Sequence, residues 1–363
     1  MQLSTAKGVY AYDTDGNKYL DFYGGHCVCP LGHSPESISN VIKEQADKFM
    51  FYSNLANIPI REEGAEKLIK FNNSGHHKVF FCNSGGEANE NALKIAVKYT
   101  GRKKIAGFKN GFHGRTSMAM SATDNTAWHG IYHPWMGNHV QLEPNNIDDL
   151  FHITEEIAAV ILEPIQSIGK CTVFEFEYLK ELRKRCDQSG TLLIFDEVQT
   201  GMGRTGLPAV SGNCGVTPDL MTMAKGLASG FPIGAVTMID EVASKLQKGD
   251  MGATFGGGPL AMAAMMETIH QIEKNNLIDQ VIENEKYIRE VFSNIPEIKE
   301  IKGKGLLLGL KLDQEAKTIQ EKLFDKNIIV GLNSDPKQIH LLPPFTIEKK
   351  HIDQLAESLK ELL

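Results

Sequence analysis

The sequence has no long hydrophobic run. Its longest apolar stretches are pieces such as Thr191-Leu192-Leu193-Ile194-Phe195, far short of the ~20 residues that a membrane-spanning helix needs. The N-terminus, Met1 to Lys7, has no basic segment followed by an apolar one, so no secretory leader is expected and the cytoplasm is the expected compartment. A basic excess is missing too: 38 Lys+Arg stand against 45 Asp+Glu, a formal net charge of -7. Nucleic acid needs a concentrated basic face and is not an expected partner; nor is a membrane. The six cysteines, Cys27, Cys29, Cys82, Cys171, Cys186 and Cys214, contain no Cys-x-x-Cys pair and no Cys/His ladder with zinc spacing. Reduced thiols and no metal site are expected. No Gly-x-x-x-x-Gly-Lys-Ser/Thr loop occurs, which removes the common triphosphate-binding motif.

What is present is alternation. Between about residues 77 and 240, short apolar runs at 78–82, 104–108, 158–162, 192–195, 219–223 and 235–239 alternate with helical patterns such as 87–99 and 177–188. The runs are continuously apolar, as in strands covered on both faces. Strand-helix alternation predicts an α/β architecture with a mostly parallel central sheet. Beyond residue 259 the pattern changes to two long helices (259–274 and 278–292), a hairpin over 298–312 and a last helix from Glu348. The first residues read as a strand pair around the turn Asp13-Thr14-Asp15-Gly16-Asn17. The expected division is a segment 1–38 packing with the C-terminal part, a large domain over 39–258, and a small α+β domain over 259–363.

Gly201-Met202-Gly203-Arg204-Thr205-Gly206 matches the G-x-G-x-x-G dinucleotide fingerprint. That site needs its glycines to open a helix. Here Leu207-Pro208-Ala209-Val210-Ser211-Gly212 follows, which reads as loop and argues against a dehydrogenase.

Other features cohere better. Ser84-Gly85-Gly86-Glu87 joins the strand at 78–82 to a helix: Ser84 has N-cap chemistry with Glu87 at capping-box spacing, and the glycines leave amides open to a phosphate. Asp196 ends a very apolar strand, where ligands of open α/β sheets gather. Such an acid needs a partner, and a pyridinium nitrogen would serve. Lys225 lies among Met221, Met223, Leu227 and Ala228, where desolvation lowers an amine's pKa as a Schiff-base nucleophile requires. Phe112 can stack on a ring and Arg115 can grip a carboxylate.

With these stand Tyr19-Leu20-Asp21-Phe22, Gly32-His33, Phe112-His113-Gly114-Arg115-Thr116, Glu163-Pro164-Ile165-Gln166, Ala224-Lys225-Gly226, Ala253-Thr254-Phe255-Gly256-Gly257 and Leu341-Leu342-Pro343-Pro344. Together they resemble the class III pyridoxal-phosphate aminotransferases of fold type I, particularly the acetylornithine and succinylornithine group, over almost the whole chain. The resemblance implies pyridoxal 5'-phosphate as cofactor, with Lys225 as its Schiff-base anchor and proton shuttle and Asp196 on the ring nitrogen. It implies Val198, Phe112 and His113 around the ring, Gln199 near the phenolic oxygen, and Ser84, Gly85 and Gly86 at the phosphate. Thr254 would reach the cofactor phosphate of a neighbouring subunit, so a homodimer with shared active sites is expected. Arg115 would hold a substrate carboxylate, with Glu163, Ala253, His26 and His340 also at the substrate.

The implied reaction moves the distal amino group of an N-acylated ornithine to a 2-oxo acid. Succinylornithine, ornithine, a carrier-linked aminoadipate semialdehyde and 4-aminobutyrate are the alternatives within the class. A non-catalytic binding protein on the same fold would be expected to lose the lysine or the acid, and both are present. The chain departs from the group in having His340 where an arginine usually precedes Leu-Leu-Pro-Pro, and Ser167-Ile168 where Gly-Glu usually follows Glu-Pro-Ile-Gln. A histidine offers no fork for a carboxylate, which points away from glutamate as amino donor.

Overall fold

A computed structural model describes residues 2–53, 55–124 and 139–363. Its strands, in chain order, are β1 (Leu3–Lys7), β2 (Tyr10–Asp13), β3 (Lys18–Asp21), β4 (Lys78–Cys82), β5 (Lys104–Phe108), β6 (His139–Leu142), β7 (Ile157–Leu162), β8 (Ile165–Gln166) and β9 (Thr172–Val173). They continue with β10 (Leu192–Asp196), β11 (Leu220–Met223), β12 (Gly234–Met238), β13 (Ile298–Lys304), β14 (Leu307–Leu312), β15 (Ile328–Ile329), β16 (Gly331–Leu332) and β17 (Gln338–Leu341). The central sheet runs β4-β12-β11-β10-β7-β5-β6.

Every residue of β7 and β10 is buried, which is why their sequences are runs of apolar side chains, broken only by Asp196 at the end of β10. Helices Gly85–Thr100 and Phe176–Ser189 supply some of the cover. All the strands run one way except β12, which is antiparallel to both β11 and β4. Only residues 224–233 separate β11 from β12, too short a connection for the helical crossover that a parallel neighbour requires.

The carboxyl ends of β4, β5, β7, β10 and β11 consequently share one edge of the sheet. The segments that follow them begin at Asn83, Lys109, Glu163, Glu197 and Ala224. Sequence neighbourhoods more than a hundred residues apart are thereby delivered to one place, the usual ligand edge of an open α/β sheet.

The terminal pieces form separate sheets. β13 and β14 make the antiparallel hairpin expected over 298–312, extended by β17 and β16. β3 pairs antiparallel with β2 and parallel with β15, Leu20 opposite Ile328, so the N-terminal strands are stitched to the C-terminal part. The last helix, Lys349–Leu362, is capped by Glu348.

The G-x-G-x-x-G segment is a run of turns and opens no helix. Arg204 within it is fully buried, donates from Nη1 to the carbonyls of Leu306 (3.0 Å) and Pro343 (2.5 Å), and lies 4.6 Å over the Phe345 ring. The fingerprint is thus a strut tying the site loop to the C-terminal sheet. Glu197 closes the same loop by accepting from the Val210 and Ser211 amides at 2.8 and 2.6 Å.

Candidate active site

Helix Gly85–Thr100 starts where Ser84 Oγ accepts from the Glu87 amide at 3.2 Å. The reciprocal half of the capping box falls one residue earlier than its spacing suggests: Glu87 Oε2 accepts from the backbone and side-chain nitrogens of Asn83 (3.0 and 2.9 Å). Gly85 is required by approach rather than by torsion, because a Cβ there would meet Val198 Cγ1 at 2.8 Å. At the first positions of a helix the amides have no intrahelical acceptor, and among the described residues those of Gly85 and Gly86 have none elsewhere.

Asp196, 3% exposed at the end of β10, is the hub of the floor. Its Oδ2 accepts from Asn89 Nδ2 (2.7 Å) and His113 Nδ1 (2.8 Å), and its Oδ1 accepts from the Val198 amide (3.0 Å). Asn89 also donates to the His113 carbonyl (2.7 Å) and accepts from Thr222 Oγ1 (2.6 Å). Sequence reasoning missed this role for Asn89. The signal was available: a polar residue on the otherwise apolar buried face of Ala88, Ala92, Leu93 and Ala96.

Lys225 follows β11 in the left-handed region at φ 46°, a conformation that costs a non-glycine residue about 1–2 kcal/mol and is found where a site dictates it. Burial lowers its amine pKa, against the opposing pull of Cys27, Asp196 and Glu163. Glu163, just after β7, accepts from the Phe112 amide (2.9 Å), and burial pushes its carboxyl up to about 7.

Gln199 Oε1 accepts from Ser167 Oγ at 2.8 Å, and Ser167 Oγ also meets His340 Nε2 at 3.2 Å. Burial pushes His340 down to about 3 and His26 to about 4, the nearby Lys225 adding to both. His26 is presented by Gly24 to Cys27, all left-handed with φ between 54° and 67°, and its Nδ1 pairs with the Tyr23 hydroxyl.

A cavity of about 350 Å³ brings these residues together. Its wall includes His26, Ser84, Gly85, Gly86, Phe112, His113, Glu163, Asp196, Val198, Gln199 and Lys225, with Gly230 to Ile233 ahead of β12. His340 lies behind the wall, reached through Ser167. Arg115 is exposed and not on the wall, although Gly114 beside it is. Ala253 lines a different cavity with Arg61 and Phe81, and Thr254 is exposed.

Comparison with known proteins decides what kind of site this is. The aminotransferase class-III family profile matches residues 1–363. The chain belongs to the class III aminotransferases. Among relatives of this aminotransferase, the acetylornithine aminotransferase of Methanocaldococcus jannaschii is 40% identical, over 99% of this chain and 92% of that protein. That of Bacillus subtilis is 37% identical over 100% and 95%. The [LysW]-aminoadipate semialdehyde/glutamate semialdehyde transaminase of Sulfolobus acidocaldarius is 36% identical over 97% and 92%. An ornithine aminotransferase from Toxoplasma gondii, solved with partial occupancy of PLP at its active site, superposes with a TM-score of 0.92 at 26% identity, covering 99% of this chain and 89% of that one.

The aminotransferase cavity fits pyridoxal phosphate on its own chemistry. Two acceptorless amides at a helix N-terminus suit the phosphate, a buried carboxylate suits a ring cation, and a lysine with lowered pKa suits the aldehyde. His113 Nε2, buried without a partner among the described residues, is a further polar atom left for a ligand or water.

Asp21 organises the turn that carries His26. Its carboxylate accepts from the amides of Tyr23, Gly24 and Gly25 (2.7, 3.0 and 3.1 Å) and from His33 Nε2 (2.8 Å). Hydrogen bonds to Asp21 and then Cys29 push the His33 imidazole up from 6.5 to about 10. Between those values the folded state holds a proton the unfolded chain has released, so this contribution is complete below pH 6.5 and lost as pH rises to 10. His33→Gln is expected to cost about 1.5–3 kcal/mol at pH 6, the usual worth of a charged hydrogen bond, and close to nothing at pH 10. Urea unfolding of both proteins across that range checks it; a wild-type minus variant difference that stays constant would contradict it.

Proposed function

We propose that this aminotransferase moves the distal amino group of an N-acylated ornithine, acetylornithine first, to a 2-oxo acid, using pyridoxal phosphate. The observation that carries the reading is the meeting of Lys225, Asp196 and the bare amides of Gly85 and Gly86 in one cavity, in a chain whose relatives include acetylornithine aminotransferases. When bound, pyridoxal phosphate supplies an aldehyde for the substrate amine and a ring that withdraws electrons from the carbon losing its proton. Gly85 and Gly86 would hold its phosphate, with Ser84 fixing the helix start. Asp196, steadied by Asn89 and His113, would hold the ring nitrogen's proton, and Phe112 and Val198 would confine the ring's faces. The Lys225 amine, made less basic by burial, would take the proton from the substrate carbon and deliver it to the cofactor's former aldehyde carbon. Glu163 and His26, on the same wall, would face the substrate. Arg115, next to the wall residue Gly114, would hold the substrate carboxylate at the mouth, with the amine reaching inward.

The working unit in this reading is a homodimer in the cytoplasm. No described helix is long and apolar enough to cross a membrane. Met50, Phe51 and Phe255 are exposed and line one groove, the Phe51 and Phe255 rings 5.4 Å apart, an apolar patch of the kind that marks an interface. Thr254 and Ala253 beside it would act at the partner's site. Within each chain, residues 39–258 would form the cofactor-binding body and 259–363 the small domain that segment 1–38 joins, a division supported by the β3–β15 pairing.

Half-reactions of the holoprotein with acetylornithine, succinylornithine, ornithine and 4-aminobutyrate test the substrate. Acetylornithine is expected to react fastest, by about tenfold or more over ornithine and 4-aminobutyrate, the scale on which one absent contact discriminates. Glutamate is expected to react slowly, since His340, neutral and behind the wall, offers no fork to its second carboxylate. Faster conversion of ornithine or 4-aminobutyrate would overturn the acyl assignment, and fast conversion of glutamate the role given to His340. A second reading, a carrier-linked aminoadipate semialdehyde, is favoured by the Sulfolobus relative and by the exposure of Arg115, to which a bulky carrier has access.

A further inference from the structure

Ser167, Gln199 and His340 are all buried, and their polar atoms form a chain from the C-terminal sheet into the cavity wall. Ser167 has one hydroxyl proton and two neighbours, Gln199 Oε1 and His340 Nε2. The chain can run in either direction. In one, His340 Nε2–H donates to Ser167 Oγ, whose proton goes to Gln199 Oε1. In the other, a flipped Gln199 amide donates to Ser167, which donates to a lone pair on His340 Nε2, leaving the imidazole proton on Nδ1. His340 Nδ1 is buried with no hydrogen-bond partner among the described residues. A neutral imidazole that kept its proton there would bury an orphaned N–H, the rarer and costlier of the two defects. The first direction is therefore the stable one.

We infer that Ser167 and His340 are positioning residues that lock the Gln199 carboxamide with its oxygen turned to Ser167 and its NH2 group turned to the cavity beside Lys225. The site thereby gains a neutral donor of fixed direction for an anionic ligand oxygen, such as the phenolic oxygen of the cofactor. Each neighbouring feature agrees. Burial and the nearby His26, Lys225 and Arg204 all oppose a charge on His340, and a charged ring would need an acceptor at Nδ1. The Gln199 backbone is held separately, its carbonyl accepting from Cys27 Sγ at 3.7 Å, so the side chain's orientation rests on Ser167. The arrangement joins Ser167 to His340, residues 173 apart in sequence.

The tautomer is read directly on the apoprotein. In protein carrying nitrogen-15 histidine, His340 is expected to be neutral at pH 7 with its proton on Nε2, and to lose that preference in Ser167→Ala. A Nδ1-protonated or charged His340 would overturn the inference whether or not cofactor binds. The second readout rests on the function proposed above. In holoprotein at fixed pH, Ser167→Ala is expected to change the ratio of the cofactor's two visible bands about three- to tenfold, the scale of one hydrogen bond. Ser167→Thr, which keeps the hydroxyl, is expected to restore most of it, and Ser167→Ala is expected to add little in a Gln199→Met background. Equal spectra for Ser167→Ala and wild type, or fully additive changes in the double variant, would overturn it. A colourless wild type would instead count against the proposed function, with the tautomer still deciding the hydrogen-bond chain.

Discussion

Lys225→Ala is expected to lower transamination by about 10⁴-fold, the upper range for removing a positioned acid–base group, and to abolish visible absorption from a lysine-bound cofactor. The loss should be chemical rather than structural. Among the described residues no hydrogen bond runs from Lys225 Nζ, and removing a buried amine relieves desolvation. The expected thermal midpoint of the apoprotein is therefore close to that of wild type. Single-turnover rates with the preferred amine, alongside a melting curve, separate the two effects. Residual activity within tenfold of wild type would assign the proton transfer to another group, with Glu163 a candidate on the same wall.

Asp196→Asn is expected to cost about 10²–10³-fold in kcat, comparable with losing one well-placed electrostatic contact to a transition state. It is also expected to destabilise the protein, because the substitution is isosteric without being isopolar. Asn89 Nδ2, His113 Nδ1 and the Val198 amide all direct protons at the carboxylate. An asparagine side chain has a single acceptor oxygen, so its NH2 must face at least one donor and leave a buried group unpaired, at about 1–3 kcal/mol. Asp196→Glu keeps the charge and should separate the two: stability falls from crowding while part of the activity remains. An Asp196→Asn protein with unchanged kcat would show that the carboxylate does not hold the ring nitrogen's proton.

How much of this was legible in the sequence follows from where the signal is local. β7 is apolar from end to end, β10 up to its closing Asp196 and β11 but for Thr222, so their places in the chain could be read, and with them the edge on which Asp196 and Lys225 sit. β6, His139–Leu142, is an edge strand whose first three residues are half-buried and carries no such run. The reversed direction of β12 was foreshadowed only by the shortness of residues 224–233. Ser84 announced its helix because a cap acts within a few residues. Asn89 and Asp196 are separated by 107 residues, and Ser167 and His340 by 173; no periodicity encodes such pairs. Arg115, Ala253 and Thr254 were expected at the substrate or cofactor, yet none lines the cavity of a single chain. For Ala253 and Thr254 the proposed homodimer would supply the reason, since residues that serve another chain's site need not line the cavity of their own.

The central claim is that Lys225 is the covalent anchor for pyridoxal phosphate at the carboxyl edge of the central sheet. Borohydride reduction of the cofactor-loaded protein, followed by peptide mapping, tests it most directly. A pyridoxyl group found on Lys225, and absent from Lys225→Ala, is the predicted result. A group fixed on another lysine, or none fixed at all, would contradict it.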